Sequence, residues 1–387
     1  MKICDLTQAY AETSGGIRTY LTEKTRYIRE RTGHEHILLI PGNSDSVGTA
    51  DRVRQYTIKS VPVPGCKPYR FMYRLDKIIK ILENENPDII EIGSPYVLPL
   101  AVFRYQQKHA CIVIGFYHTD FPDAYVATFA RRFKFNHMQS VARKSAERYA
   151  RYIYNKCDST VVSSDLMIRK LRSMDIERVH TIPLGVDPET FNPVKRDPSL
   201  RDAIGVRNEE ILLLYAGRLD NEKRIGVLLD AFNLIASQFP GKLALVGDGP
   251  LKALVQAHAQ INDKLVVLPY QKDRQLLARM LASSDIYVTA GPHETFGLSI
   301  LEAQASGLPV VGVRSGAVPE RVNEAIGVVC DVDDPRSIAS GIMELALNGY
   351  KSRGKRARLI VEKEYSWDAT FTRLFRLYTS LLDHEDL

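Results

Sequence analysis

GPHETFGLSILEAQASGLPVVG, residues 291–312, contains two glutamates eight positions apart, Glu294 and Glu302, around a Phe-Gly-Leu triplet. The β-branched run DIYVTA just before it predicts a strand, and Leu298–Ser306 predicts a helix that Gly307 closes. The first backbone N–H groups of such a helix have no partners within it, and they attract an anion. The segment therefore predicts an anion site between a strand and a helix.

The two glutamates are suited to bind hydroxyl groups beside that anion. Gly297 lets a phosphate approach the backbone closely. Glu294 precedes the helix, whereas Glu302 lies one turn inside it with its side chain leaning back toward the N-terminus. Because carboxylates repel phosphate, hydroxyls such as those of a ribose and a sugar are the expected ligands. From these residues alone, an N-terminal helix acid and a surface helix residue remain an alternative.

Short β-branched runs alternate with helical patterns along the whole chain. They include HILLIP, DIIEIG, CIVIGFYH and STVVSS in the first half, and ILLLYAGR, KLALVGDG, KLVVLPY, DIYVTAG and PVVGV in the second. Strands buried on both faces have this composition, and intervening helices make βαβ units. The alternation predicts α/β architecture with parallel sheets, and 387 residues favour two domains.

The domain boundary is predicted near LGVDPETFNPVKRDPSL, residues 184–200, whose three prolines argue against regular structure. The predicted domains are residues 1–190 and residues 198–365. The remaining segment, about 366–387, has apolar residues at helical spacing, but its packing partner is not indicated by the sequence.

Composition is that of a soluble globular protein, with 45% apolar and 25% charged residues. Five scattered cysteines without CxxC spacing favour reduced thiols and a cytoplasmic location. The net charge of +6 is uneven, because residues 1–200 carry 30 Lys/Arg against 22 Asp/Glu. We therefore expect the two halves to present different surfaces to their partners.

A basic segment, residues 131–156, carries eight Lys/Arg and one glutamate with aromatic residues between them. At helical spacing this pattern is typical of a helix that lies on anionic lipid, which would place the protein peripherally at the inner face of the membrane. A solvated charged helix with its aromatics in the core fits equally well. Nucleic acid is not expected as a partner, because the chain lacks a recognition fold.

The E-x7-E spacing within HETFGLSILEAQASGLPVVG resembles that of the family 4 retaining glycosyltransferases. This resemblance implies the GT-B fold, in which two Rossmann-like domains with parallel sheets face each other across a cleft. It implies that the C-terminal domain binds a nucleotide-sugar donor and the N-terminal domain a sugar or lipid-linked acceptor. The tail helix at about 366–387 would cross back to the N-terminal domain.

The resemblance also assigns roles to the residues of this segment. Glu294 would contact the donor hexose and Glu302 the ribose. The backbone of Phe296, Gly297 and Leu298 would hold the sugar and phosphate.

A second motif, YAGRLDNEKRI, follows a predicted strand and contains Arg218 and Lys223. In the family, an arginine and a lysine at this spacing grip the donor diphosphate. Fixed cations offset the negative charge that the nucleotide gains as the glycosidic bond breaks. By itself such a pair is more often a solvated surface pair.

Further positions follow from the resemblance. Gly15 and Gly16, in TSGGIRTY, would approach the distal phosphate and the acceptor, although a bare glycine pair is more often a tight turn. Gly247, in VGDGP, would lie near the nucleotide, and Pro269 and Tyr270 would line the base pocket.

His118, in GFYHTDFP, follows a predicted strand of the first half. Without context it is more often structural, but the family places a histidine here close to the transferred sugar. YHTDFP also resembles members with lipid or lipid-linked acceptors. The family mechanism implies retention of configuration, with the leaving phosphate accepting the proton of the acceptor.

Neither a metal nor a cofactor is expected. In DVDD, Asp334 precedes Pro335 and a helical pattern, which predicts a helix N-cap rather than a metal ligand. His293 and Glu294 lack the second histidine of a zinc motif. GDGPLK lacks the third glycine of a dinucleotide fingerprint.

The sequence thus predicts a hexosyltransferase that uses a UDP- or GDP-sugar, of which UDP is the commoner in the family. A nucleotide-sugar epimerase and a non-catalytic sensor remain alternatives. One departure concerns RSGAVPE, where Ala317 and Val318 replace a more open turn after Gly316. The resemblance therefore gives weaker support for phosphate contacts from this loop than from the other motifs.

Overall fold

The computed structural model describes residues 1–10, 16–63, 69–118 and 136–385. The chain divides into two compact units, the first being Met1–Pro183 with Thr370–Leu387 and the second Leu184–Ala369. The units meet in sequence a few residues before the boundary expected at 190–198.

Among its described residues, the first unit contains ten strands, five whole helices and the greater part of a sixth. Its strands are β1 (Lys2–Leu6), β2 (Glu35–Gly42), β3 (Ser46–Ala50), β4 (Val53–Lys59), β5 (Val61–Pro62), β6 (Arg70–Phe71), β7 (Ile89–Ile92), β8 (Ile112–Phe116), β9 (Ser159–Val162) and β10 (Val179–Thr181). The whole helices are α1 (Gly16–Arg31), α2 (Leu75–Glu85), α3 (Leu98–Gln106), α4 (Asn136–Lys156) and α5 (Asp165–Ser173).

Eight of these strands form one sheet in the order β10-β9-β8-β7-β1-β2-β4-β3. All pairs are parallel except β3–β4, because only Asp51 and Arg52 connect these strands and so short a turn permits only an antiparallel pair. The chain builds outward from β1 to β2 and β4, then returns to β7 on the other side of β1. The strand order therefore reverses between β1 and β7.

The second unit also alternates strands and helices. Its strands are β11 (Ile211–Ala216), β12 (Gly241–Val246), β13 (Leu265–Leu268), β14 (Ile286–Val288), β15 (Val310–Val313) and β16 (Gly327–Cys330). Its helices are α6 (Pro198–Ala203), α7 (Ile225–Ile235), α8 (Lys252–Ile261), α9 (Arg274–Ala282), α10 (Leu298–Ala305), α11 (Val318–Arg321), α12 (Pro335–Leu347), α13 (Tyr350–Glu364) and the start of α14 (Trp367–Glu385).

The second sheet is entirely parallel, in the order β13-β12-β11-β14-β15-β16. Its central strands are almost wholly buried, as their apolar composition predicts. One core packs β11, β12 and β15 against α7 and α12. The strand order reverses between β11 and β14, so the turns that follow these two strands meet at one edge of the sheet.

The segment expected to lack regular structure contains two short helices. Pro193 opens a 3-10 turn and Pro198 opens α6, with Asn192 and Asp197 accepting backbone N–H bonds as N-caps. The expectation was wrong because proline suits the first helical position, where its missing N–H has no partner anyway.

The helix α14 confirms the helical pattern of the tail. In the first unit, Phe371 and Phe375 pack against Tyr20 and Tyr27 of α1, with ring centroids 5.3–5.8 Å apart. Thr370 Oγ1 also donates to the Pro183 carbonyl at 2.9 Å. The α1 partners lie more than 300 residues away in sequence and Pro183 lies 187 residues away, so short-range patterns could not identify them.

The cysteines that the structure describes, Cys4, Cys111, Cys157 and Cys330, are buried. Cys66 lies outside the described residues. In the described part of the chain, every helix is too short or too polar to cross a membrane.

Candidate active site

The turns after β11 and β14 meet where the strand order of the second sheet reverses. These turns are residues 217–224 and residues 289–297. Ligands of parallel α/β sheets bind at such switch points, at the carboxyl ends of the strands. The two main sequence motifs thus meet at the place where the fold favours a ligand.

Lys223 and Glu294 connect the two turns. The Lys223 ammonium contacts Glu294 Oε1 in an ion pair whose side chains are 21% and 15% exposed. Asp220 Oδ1 accepts a 3.0 Å bond from the Lys223 N–H, which fixes the backbone beneath the lysine. A Cβ on Gly291 would lie 3.2 Å from Lys223 Cδ, so the second turn packs closely on the lysine.

Arg218 lies in the same turn as Lys223 but remains exposed, with 63% of its side chain accessible. Its guanidinium contacts Asp220 at 3.0 Å and Glu222 at 2.6 Å. Both partners are local carboxylates, and the exposed pair with Glu222 is one that an anionic ligand can replace at little cost.

Helix α10 begins at Leu298, and Gly297 precedes it with φ = 87°. This left-handed conformation favours glycine and turns the chain into the helix. The predicted start at Leu298 is confirmed, the helix ends at Ala305, one residue before the predicted Ser306, and Gly307 closes it with φ = 82°. The Phe296 side chain points away from solvent, being only 3% exposed.

The Phe296 ring packs on Arg321, whose guanidinium carbon lies 4.3 Å from the ring centroid. Tyr365 covers the same guanidinium at 4.9 Å. The buried Phe296 side chain therefore fixes the turn to the protein interior, and only the Phe296 backbone is suited to contact a ligand.

Glu302 lies one turn into α10 and is nearly buried, with its side chain 12% exposed. Arg274, at the start of α9, donates from Nη2 to Glu302 Oε1 at 2.9 Å. Burial raises the pKa of the Glu302 carboxyl, and the Arg274 charge opposes the rise. The alternative that Glu302 is a surface helix residue is wrong, because most of α10 is buried.

The loop after β15 supports Glu294 through its backbone. Ala317 N donates to the Glu294 carbonyl at 2.7 Å, and Ser315 Oγ donates to the Pro292 carbonyl at 2.8 Å. Gly316 has φ = 60°, and a Cβ there would lie 2.5 Å from the Glu294 oxygen. This loop therefore holds the Glu294 turn in place.

Gly247 lies in a turn that packs directly on the Arg218 segment. A Cβ at Gly247 would lie 2.0 Å from the Gly217 oxygen, so no other residue fits. Leu219 N donates to Asp248 O at 2.9 Å in the same contact. Pro269 and Tyr270 follow β13 and are exposed, at the same carboxyl edge of the sheet.

Asp334 caps α12 as predicted, accepting N–H bonds from Arg336 and Ser337 at 2.9 and 3.2 Å. Across the ranges that the structure describes, no three His, Cys, Asp or Glu side chains cluster as a metal site would require.

His118 follows β8 in the first unit. Its ring stacks on Phe116 at a centroid distance of 3.8 Å, and the edge of Tyr20 lies 5.2 Å away. Burial lowers the pKa of His118 to about 3. The imidazole is therefore neutral at physiological pH, so one ring nitrogen can donate a hydrogen bond and the other can accept one.

A buried polar cluster lies beneath His118. Asp5 and Glu91 are opposite each other on the parallel strands β1 and β7, and Lys24 binds them at 2.8 and 3.1 Å. Tyr20 and Tyr378 each donate to Glu91, at 3.0 and 2.5 Å. Burial raises the pKa of Glu91 to about 7, opposed by Lys24 and reinforced by Asp5.

Gly15 lies outside the described residues, whereas Gly16 is the first residue of α1. At the switch point of the first sheet, Thr7 Oγ1 and Ser94 Oγ lie 3.1 Å apart, and Gln8 N donates to Ser94 Oγ at 3.0 Å. These buried polar groups follow β1 and β7, where the fold favours a ligand of this unit.

Helix α4 covers most of the basic segment, while residues 131–135 lie outside the described residues. Ala146, Ala150 and Ile153 face the core. The described cations of this helix are exposed: Arg143, Lys144, Arg148, Arg151 and Lys156.

The structure thus gathers Arg218, Lys223, Gly247, Glu294 and the start of α10 at one edge of the second sheet. His118 and Gly16 belong to the first unit. Sequence reasoning missed Arg274 and the Asp5–Lys24–Glu91 cluster, because each joins residues far apart in the chain without a local motif.

Two family models match the chain. One described as Glycosyltransferase Family 4 matches residues 14–190, and one described as Glycosyl transferases group 1 matches residues 210–348. Together they cover most of the sequence.

The relatives that match nearly the whole chain include two mannosyltransferases. The GDP-mannose-dependent alpha-mannosyltransferase of Corynebacterium glutamicum is 27% identical, over 99% of this chain and 89% of the relative. The GDP-mannose-dependent alpha-(1-6)-phosphatidylinositol dimannoside mannosyltransferase of Mycobacterium tuberculosis is 26% identical, over 92% of this chain and 91% of the relative.

Among solved structures, sucrose-phosphate synthase of Thermosynechococcus elongatus superposes with a TM-score of 0.79 at 19% identity. The match covers 99% of this chain and 100% of the synthase. This likeness confirms the predicted GT-B fold class.

Proposed function

The chain belongs to the family 4 glycosyltransferases, and from that membership we propose that it transfers mannose from GDP-mannose to a sugar or lipid-linked acceptor. Hexosyl transfer follows from the family. The choice of GDP-mannose over a UDP-sugar rests on the names of relatives that match most or all of the chain, among them the two described above.

The observation that carries the proposal is the contact between Lys223 and Glu294 at the β11/β14 switch point. In the structure the two side chains neutralise each other. A nucleotide sugar offers each a better partner, because the diphosphate takes the ammonium and a hexose hydroxyl donates to the carboxylate. Arg218 adds a second cation from the same turn, and the N-terminus of α10 adds backbone donors.

Catalysis then rests on charge stabilisation. As the glycosidic bond breaks, negative charge grows on the diphosphate. Arg218, Lys223 and the α10 N–H groups therefore stabilise the transition state more than the ground state. Because two side-chain cations stabilise this charge, the proposed reaction requires no metal. The leaving phosphate accepts the acceptor proton while the new bond forms on the same face, so the α configuration is retained.

The first unit supplies groups suited to the acceptor. Thr7, Gln8 and Ser94 place polar groups at the switch point of its sheet. His118 is neutral, so it can bond to a sugar hydroxyl without attracting phosphate.

The basic face of α4 supports a lipid-linked acceptor. The five exposed cations described on this helix would be attracted to an anionic bilayer. We propose that this face holds the protein peripherally at the membrane that contains its acceptor.

The relatives' names describe transferases, which favours transfer over the epimerase and sensor alternatives. The test uses GDP-mannose, UDP-glucose and ADP-glucose, each alone and with phosphatidylinositol mannosides as acceptor. We expect an α-mannosyl lipid product from GDP-mannose only, without added divalent cation and in the presence of EDTA. A β-linked product would refute retention, and an epimerised donor or binding without turnover would refute transfer.

A further inference from the structure

Arg274 connects the predicted ribose-binding carboxylate to the surface of the second unit. Its guanidinium donates to Glu302 Oε1 at 2.9 Å and stacks on Phe191, with the guanidinium carbon 5.0 Å from the ring centroid. Phe191 is fully buried in the segment that opens this unit. The arginine is therefore held in one orientation by a ring below it and a carboxylate beside it.

The pair is asymmetric in its exposure. The Arg274 side chain is 43% exposed, whereas that of Glu302 is 12% exposed. An ion pair between two exposed side chains contributes little, but a buried carboxylate without a partner is driven toward its neutral form. The Arg274 charge opposes the effect of burial on the pKa of this carboxylate.

Only one oxygen of Glu302 is occupied. Within the described ranges Oε2 accepts no hydrogen bond, so it remains available to a ligand. An ionised carboxylate accepts bonds from ribose hydroxyls, whereas a protonated one must use its own hydrogen as a donor. The charge state of Glu302 thus decides how well it binds a diol.

We propose that Arg274 is a positioning residue of the donor site, which holds Glu302 ionised and oriented for the nucleotide ribose and so makes donor binding independent of pH. This inference rests on the proposed donor site.

Few other charged groups face Glu302. The group on α9 that faces Glu302 is the Arg274 guanidinium, and the group on β14 is the Tyr287 phenol. Burial is the main cause that raises the pKa of Tyr287, and the Glu302 charge contributes. Tyr287 OH is already occupied, as it donates to the Ala216 carbonyl at 3.1 Å. Removing Arg274 therefore leaves burial as the main influence on the Glu302 carboxyl.

The experiment measures GDP-mannose affinity by calorimetry at about pH 5.5 and about pH 8, without acceptor, because the diphosphate diester stays ionised throughout this range. The variants are Arg274→Gln and Arg274→Lys. Arg279→Gln is the matched control, since Arg279 lies on the same helix with a similar exposure of 47% and pairs with Asp197 instead.

We expect wild type and Arg279→Gln to change less than about threefold between the two pH values. The affinity of Arg274→Gln for GDP-mannose should be about tenfold weaker at the lower pH than at the higher pH, because losing an adjacent charge shifts a carboxyl pKa by one unit or more. Arg274→Lys should restore most of the pH independence, which a purely structural role of the guanidinium would not predict.

Equal pH profiles in wild type and Arg274→Gln would overturn this inference while leaving the donor site intact. A pH-sensitive Arg274→Lys would also contradict it, because the charge is retained. No binding of GDP-mannose by wild type would overturn the proposed function itself, so the two failures are distinguishable.

Discussion

Lys223 and Glu294 are 71 positions apart in sequence, and their side chains form an ion pair at the carboxyl edge of the second sheet. The contact exists because β11 and β14 are neighbours, which brings the turn after each strand to the same place. It joins the two motifs that separately indicated diphosphate and hexose binding. A single topological feature therefore assembles the donor site.

Replacing Lys223 with alanine should lower kcat/KM for GDP-mannose by about 10²–10³, the usual loss when one group that stabilises transition-state charge is removed. Folding should be little affected, since the pair is partly solvated and its loss costs about 1 kcal/mol or less. Steady-state kinetics and thermal unfolding measure the two effects. Lys355→Ala, an exposed lysine of the same unit, should match wild type in both, and an active Lys223→Ala would contradict the assignment.

Gly316→Ala should displace Glu294 without touching any ligand. The new Cβ would lie 2.5 Å from the Glu294 oxygen at φ = 60°, a backbone conformation that costs a non-glycine residue about 1–2 kcal/mol. We expect a lower unfolding midpoint together with a loss of turnover. In contrast, Gly226→Ala has open space and a helical position, so it should stabilise the protein by up to about 1 kcal/mol. Equal behaviour of the two variants would show that the loop does not support Glu294.

The buried cluster around Glu91 should make stability depend on pH. The folded protein raises the pKa of Glu91 to about 7, so it favours the protonated form more than the unfolded chain does. This contribution is fully present below the ordinary carboxyl pKa and is lost as pH rises through about 7. The stability of Glu91→Gln relative to wild type should therefore increase as the pH rises from about 5 to about 8.

Thermal midpoints across that pH range provide the measurement. Glu83→Gln, an exposed glutamate of the same unit, should leave the difference from wild type constant. A constant difference for Glu91→Gln as well would mean that Glu91 is ionised in the fold throughout.

Local patterns were sufficient for the elements that carry the donor site. The β-branched runs fixed most core strands, and Gly307 and Asp334 marked helix ends correctly because capping depends on adjacent residues. The contact between Arg274 and Glu302 had no such pattern, since it depends on how α9 and α10 pack. The role of Phe296 likewise depends on a long-range contact, because Arg321 packs on its ring and Tyr365 covers the same guanidinium.

The exposed cations of α4 should bind anionic vesicles. We expect flotation with phosphatidylglycerol-containing liposomes at low salt, and loss of flotation at high salt because the attraction is screened. A variant with Arg143, Lys144 and Arg148 changed to serine should remain in the soluble fraction. Removing three exposed lysines of α13, namely Lys351, Lys355 and Lys363, controls for net charge and should leave binding intact. Equal loss in both variants would indicate general charge rather than this helix.

The central claim is that the β11/β14 edge binds a nucleotide sugar with Glu302 on the ribose. Calorimetric titration of wild type and Glu302→Ala with GDP, UDP and ADP tests it most directly, with the exposed Glu324→Ala as control. The account predicts that GDP binds wild type and Glu324→Ala equally, and Glu302→Ala at least about tenfold more weakly, a loss of about 1.4 kcal/mol. Undiminished GDP binding by Glu302→Ala, or no nucleotide binding by wild type, would contradict it.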